Sequence, residues 1–301
     1  MIRKILLSLL CFASWGATTA QDIPPSQKPF ADVAPLDNMP ILEAGVFGNE
    51  GRKPVPQRGA EFRRFLAPSC KIAVGNGSGS GTIIHHDEAT NIAYVATCGH
   101  LWASGIVDQE EAKKKKIKCK LIFWYHNDKR LDAPRQYDAE VAFYSFIRGQ
   151  DTALVTFKPD WKPEVFPLAP ANYKYEKGKH AHSVGCDAGS EVAHYDIVML
   201  GLEYDDLVTD DNSPRPGRSG GGLMDDEGNY IATCWGTQYV DGSGKGFFTP
   251  ASVIHKFWSK QKDYAFLLAQ KPNVSGGARI LKIVDWAGSK EEFRPEYILL
   301  P

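Results

Sequence analysis

The chain is 301 residues long, 43% hydrophobic and 24% charged, with a formal net charge of −1. These proportions belong to a globular protein and exclude a disordered, collagenous or coiled-coil chain, and the near-zero charge offers no footprint for nucleic acid. With 28 glycines and 19 prolines the chain reads as many short strands joined by turns, not as a helical bundle.

Residues 1 to 20 read as an export signal. Arg3 and Lys4 precede an apolar stretch from Ile5 to Phe12, and Ala17-Thr18-Thr19-Ala20 supplies small residues before Gln21. No segment approaches 18 continuous apolar residues, so no membrane span is expected, and the expected location is the periplasm or the medium. Cys11 would leave with the signal. Cys70, Cys98, Cys119, Cys186 and Cys234 remain, an odd number that leaves at least one thiol free or paired between chains. Cys70 with Cys119 is the preferred pair, because both lie on early predicted strands. There is no CxxC, so a structural zinc site or a thioredoxin-type centre has no support.

Residues 21 to 62 hold Pro24-Pro25, Pro29, Pro35, Pro40, Pro54 and Pro56 with little periodic hydrophobicity, and read as a linker, an arm or a propeptide. From about residue 68, β-type runs follow one another between turn residues. Strands are expected at Cys70 to Val74, Gly81 to Ile84, Ile92 to Thr97, Ile117 to Tyr125, Val141 to Ile147 and Thr152 to Phe157. Further strands are expected at His180 to Gly185, Val192 to Leu200, Gly222 to Met224, Tyr230 to Trp235 and Gly246 to Phe248. The run Lys113 to Lys116 follows Glu110-Glu111 and reads as a solvated loop or helix face. One helix is expected from Ser252 to Leu268, and Ala278 to Val284 fits one more strand. The fold class is all-β, a sandwich or a pair of barrels.

Three segments carry the candidate chemistry. The strand Tyr94 to Thr97 runs into Cys98-Gly99-His100. Asp151 stands just before the apolar run Thr152 to Val155. Ser219 is wrapped in glycines in Pro216-Gly217-Arg218-Ser219-Gly220-Gly221-Gly222. A serine hydroxyl must lose its proton as it attacks, an imidazole near its ordinary pKa is the natural base, and a carboxylate fixes the imidazole tautomer. Gly217 permits a tight turn that aims the N–H groups of Gly217 and Ser219 at one point, where an oxyanion would develop. His85-His86, and His180 with His182, lack a third ligand at recognisable spacing, so no metal and no cofactor is expected.

On these segments the sequence resembles the trypsin-like serine peptidases, particularly the compact bacterial ones. Gly79-Ser80-Gly81, Thr97 to His100, Asp151 to Leu154 and Gly217 to Gly221 follow the order of the family's motifs across residues 65 to 260. The resemblance implies two antiparallel β-barrels, about 65–165 and 175–250, inside a domain of residues 63–270 with a tail at 271–301. It implies His100, Asp151 and Ser219 as catalytic residues in the cleft, with Gly217 and Ser219 as the oxyanion hole. Cys234-Trp235-Gly236 matches the strand that pairs with the substrate backbone, and Ser213 matches the pocket floor, which would suit an uncharged or apolar side chain. The implied partner is a protein or peptide substrate, and the oligomeric state is open.

Gly99 and Gly222 depart from the family's usual Ala and Pro. Arg218 stands where animal digestive members have an Asp that pairs with a newly cut N-terminus, so switching on by that ion pair is not expected. Two rivals stay open: an inactive trypsin-fold binding protein, and a G-x-S-x-G esterase. The second needs a strand running into Ser219, whereas Asp210 to Pro216 is a poor central strand.

Overall fold

The computed structural model describes residues 64–273, apart from 76, 128, 148, 211–215 and 241–242. All of them belong to one unit, Pro40–Pro301. The proposed signal, the proline-rich stretch, Ser213 and the strand expected at Ala278 to Val284 lie outside the described residues.

The first barrel is built from β1 (Ser69–Val74), β2 (Gly77–Asp87), β3 (Ile92–Thr97), β4 (Gly105–Val107), β5 (Lys118–His126), β6 (Lys129–Ile147) and β7 (Gln150–Phe157). Its order is β4-β6-β5-β1-β2-β3-β7, and pairing of β6 with β7 closes six of the strands while β4 stays outside as an edge. The second barrel closes in the order β10-β13-β12-β11-β8-β9. Its strands are β8 (His180–Gly185), β9 (Ala193–Glu203), β10 (Asp206–Thr209), β11 (Gly222–Met224), β12 (Tyr230–Val240) and β13 (Ser243–Pro250). Closure removes the free edges that strands this short would otherwise expose. The connection between the barrels is stitched to both: Phe166 N–H donates to Ile83 of the first, and Ala169 N–H to Tyr230 of the second.

Each strand expected within the described residues is present, and the differences lie at ends and charged stretches. β6 begins at Lys129, twelve residues before the expected Val141, because Lys129 to Asp138 pairs with β5 although most of it is polar. Pro134 is accommodated there because the β5–β6 register shifts between Phe123 and Tyr125, leaving it without a ladder partner. β4 and β10 are too short for an alternating pattern to show. The lysine run forms the end of helix α1 (Gln109–Lys115): Asp108 Oδ1 accepts from the N–H groups of Glu110 and Glu111, and the lysines gather at the negative end of the helix dipole.

Two expectations are corrected. The single helix at Ser252 to Leu268 is instead α2 (Ala251–Trp258) followed by a 3₁₀ run at Lys262–Ala269. Between them the buried Gln261 side chain accepts from the Gln109 N–H, and the Gln109 side chain accepts from the Asp263 N–H, which draws the chain off the helical path. The Cys70–Cys119 pair does not form, and all five described cysteines are free and buried. In the β1–β5 register Ile72 faces Leu121, so Cys70 and Cys119 fall four residues apart along the ladder. That offset is about 13 Å of strand, beyond the roughly 7 Å that a disulfide spans between Cα atoms.

α2 closes the base of both barrels through Ile254, Phe257 and Trp258, all buried. Trp258 has no exposed surface, its indole N–H donates to Thr152 Oγ1 at 3.1 Å, and Phe143 meets its ring edge-on. Trp258→Ala is expected to cost about 3–5 kcal/mol, read as a lower urea midpoint, whereas Lys260→Ala on the exposed turn leaves the midpoint unchanged.

Candidate active site

β3 and β7 are antiparallel with Thr97 opposite Ala153, so the turn after β3 lies beside the first residues of β7. That register alone brings His100 to Asp151. His100 Nδ1 lies 2.6 Å from Asp151 Oδ2, and Asp151 Oδ1 accepts from the N–H groups of Gly99 (2.6 Å) and His100 (3.0 Å). The carboxylate is buried, and it fixes both the ring and the backbone that carries the ring. Glycine at 99 is demanded by this packing: a Cβ there would run into the Ser145 carbonyl of β6. The departure from the family's alanine is thus matched to the close approach of β6.

Burial of the imidazole by itself lowers the His100 pKa, but Cys98 and Asp151 outweigh it and the net shift is upward from the ordinary imidazole value. Burial also pushes the Cys98 thiol up, and its contact with His100 works against that shift.

The Ser219 turn is anchored by groups of both barrels. Ser80 of β2 donates its N–H to the Ser219 carbonyl (2.6 Å) and its hydroxyl to the Gly217 carbonyl (2.8 Å), while its Oγ accepts from the Cys186 N–H. The Ser80 carbonyl in turn accepts from Thr97 Oγ1 at the end of β3. From the other side, Gly220 N–H donates to the Cys234 carbonyl and Cys234 N–H to the Gly221 carbonyl. Gly217 has φ of +92°, a left-handed conformation that favours glycine. Among the described residues neither the Gly217 nor the Ser219 N–H has an acceptor.

The Arg218 side chain is fully buried. Its Nε donates to Asp187 Oδ1 at 2.8 Å, its terminal nitrogen Nη1 reaches the carbonyls of Ser183 (3.1 Å) and Ala193 (3.3 Å), and its guanidinium lies 4.2 Å from the Tyr195 ring centre. Charge at this position is therefore neutralised inside the chain, with the sign opposite to that of the animal enzymes.

Of the residues expected at the site, His100 and Asp151 are joined directly, and the Ser219 turn is held next to them through Ser80. Ser219 Oγ makes no hydrogen bond to His100 among the described residues; His100 Nε2 instead contacts Cys98 Sγ at 3.7 Å. Cys234, Trp235 and Gly236 lie on β12. Beyond Cys234 this strand pairs with β13 on one side only among the described residues, and the space beside Gly236 is open. Trp235 donates its indole N–H to Asp206 Oδ1 at 2.9 Å. Sequence reasoning missed Cys98, Asp187, Asp206 and the double role of Ser80. Ser80 lay within a recognised motif, and a buried arginine calls for a partner, but no spacing pointed to Asp187.

A family described as Trypsin-like peptidase domain matches residues 79–232. Among solved structures, the chain is similar to the serine endoprotease from Yersinia pestis, with 16% identity, a TM-score of 0.50 and 70% of this chain covered. It spans 66% of that protein, just under two thirds of its length. It is also similar to Rv3671c from M. tuberculosis H37Rv in an inactive mutant form, with 17% identity, a TM-score of 0.50, and 70% of this chain and 95% of that one covered. At these identities the likeness concerns the fold. No protein of curated function matches the sequence.

Removing either member of the buried pair leaves the other without its compensating charge. Arg218→Met and Asp187→Asn are each expected to cost about 3–5 kcal/mol in urea unfolding. The double variant should recover part of that loss, a coupling that a double-mutant cycle reads directly.

Proposed function

The chain belongs to the trypsin-like peptidase domain family, and on that premise we propose that it is an exported serine endopeptidase acting through Ser219, His100 and Asp151. The observation that carries the assignment is the buried Asp151 carboxylate, which holds His100 Nδ1 at 2.6 Å and takes the N–H groups of the His100 turn on its other oxygen. Nδ1 then carries the proton and Nε2 is left as the base. Ser219 Oγ attacks the scissile carbonyl as its proton passes to Nε2, and Asp151 stabilises the imidazolium. The N–H groups of Gly217 and Ser219 receive the oxyanion. His100 returns the proton to the departing amine, and water repeats the sequence to release the acyl group. No cofactor enters.

The one-sided stretch of β12 from Trp235 onward supports pairing with an extended substrate backbone, and the open space beside Gly236 suits an uncharged or apolar side chain. Export rests on residues 1 to 20. No helix among the described residues is long and apolar enough to cross a membrane.

One observation favours the second reading, a binding protein on a peptidase fold: His100 Nε2 contacts Cys98 rather than Ser219. Covalent labelling separates the two. A fluorophosphonate probe is expected to add once per chain, with the adduct absent from Ser219→Ala by intact mass. Absence of any adduct, also after removal of residues 21 to 62, selects the binding protein.

The pH profile gives an independent check. His100 works as a base only when neutral, and its pKa lies above the ordinary imidazole value of about 6.5. Activity is therefore lost on acidification at a higher pH than for a free imidazole. The acid limb of kcat/KM is expected to have its midpoint above that of a free imidazole. Asp151→Asn removes one of the two groups that raise the pKa, Cys98 being the other, and should move that limb to lower pH while cutting the rate. A flat profile down to pH 4 would exclude His100 as the base.

A further inference from the structure

On the outer face of the second barrel, three side chains converge away from the catalytic residues. β8 and β9 are antiparallel with His182 opposite Asp196 and Val184 opposite His194. Residues directly opposite, and those two apart along a strand, share a face, so the ladder places His182, His194 and Asp196 together. Their inner donor atoms close a triangle: His182 Nδ1 to His194 Nε2 is 2.8 Å, His182 Nδ1 to Asp196 Oδ1 is 3.2 Å, and His194 Nε2 to Asp196 Oδ1 is 3.5 Å. From these contacts we propose that His182, His194 and Asp196 form a binding site for a divalent transition metal of the zinc type, independent of the peptidase assignment.

Three features support this. A four-coordinate zinc with bonds of about 2.0–2.1 Å spaces its ligand atoms about 3.3 Å apart, and the three distances straddle that value. A proton at the centre bridges two of the three atoms, whereas a divalent cation engages all three. The outer nitrogen of His182 faces Asp226 Oδ1 at 2.8 Å, which places the proton on Nε2 and turns the Nδ1 lone pair inward. A carboxylate behind a histidine ligand is the usual way to fix its tautomer and raise its basicity.

The surroundings suit a site that excludes bulk water but keeps an approach. The His194 side chain has no exposure and that of His182 has 10%, while Asp196 retains 30% and leaves a side open for a water as fourth ligand. Phe65 covers the pair, its ring 4.2 Å from that of His182 and 5.4 Å from that of His194, both stacked. Two of the three ligands, His194 and Asp196, were hidden from the His180–His182 spacing because they come from the neighbouring strand β9. His180, the companion expected from alternation, is exposed at the start of β8 and takes no part.

The test uses the full chain, stripped with a chelator and titrated with zinc chloride by calorimetry, with the melting midpoint followed in parallel. One equivalent is expected to bind and raise the midpoint. Asp226→Ala should weaken binding about 10–100-fold, Asp196→Ala by at least that, and His194→Ala should abolish it. Cys98→Ala should bind as the parent does, which separates this site from the Cys98, His100 and Asp151 group. His194 is fully buried and its variant is the one at risk of misfolding, so the part-exposed Asp196→Ala carries the decision. No zinc uptake by the parent chain, undiminished uptake by a natively folded Asp196→Ala, or loss in Cys98→Ala would each overturn the site. Fluorophosphonate labelling of Ser219 tests the peptidase reading separately, and neither result bears on the other.

Discussion

A guanidinium without any contact with solvent lies one residue before Ser219, and the shape of the candidate active site depends on how it is held. Moving an ion of this kind out of water costs several kcal/mol even after relaxation. Arg218 offsets that cost with Asp187, two backbone carbonyls and the face of Tyr195. All four partners belong to the β8–β9 hairpin and its connection. The side chain therefore works as a peg driven into that hairpin, and the Gly217–Gly221 turn cannot move without pulling a charge out of its socket. In the animal relatives the corresponding acid waits for a new N-terminus. Here both charges belong to the folded chain, so ordering of the turn requires no cleavage to create a partner.

The remaining restraints reach the same turn from the first barrel. Ser80 meets Gly217, Ser219, Cys186 and Thr97 through one side chain and its own backbone. It links the Ser219 turn, the end of β8 and the strand leading to His100. A hydroxyl suits this buried position because it donates and accepts at once. Asp151 performs a parallel service by orienting both the His100 ring and the peptide that bears it. Barrel closure matters because it fixes the ladder registers, and those registers set the separations between groups contributed by distant parts of the sequence.

How much of this was legible in the sequence follows from how local each signal is. Runs such as Ile92–Thr97 and Thr152–Phe157 were readable because apolar and β-branched residues fill a short stretch between turns. The Lys129–Asp138 half of β6 was not, because its strand state comes from pairing with β5 and not from its own polar pattern. Helix α2 was readable at its start, but its end depends on Gln109 and Gln261, which lie 152 positions apart. At the site, His100, Asp151 and Ser219 stood out by residue type and motif order. Asp187 and Cys98 did not, since one acts through a buried ion pair and the other through the fold of a turn. The cysteine preference failed for a related reason: shared strand membership says nothing about position along the ladder.

The two faces of the β8–β9 hairpin join these observations. The Tyr195 ring and the backbone carbonyls of Ser183 and Ala193 hold Arg218, while the side chains of His182, His194 and Asp196 gather on the face opposite to Tyr195. Alternation sets Tyr195 apart from these three, because side chains of neighbouring residues in a strand point to opposite faces. A cation bound on the outer face would brace β8 against β9 at the positions whose inner neighbours hold the peg behind Ser219. The hairpin is a pair of packed strands with defined register, so a restraint on one face limits motion of the backbone that supplies the other. Any such influence on Ser219 would be exerted through the socket of Arg218, not through contact with the reacting atoms.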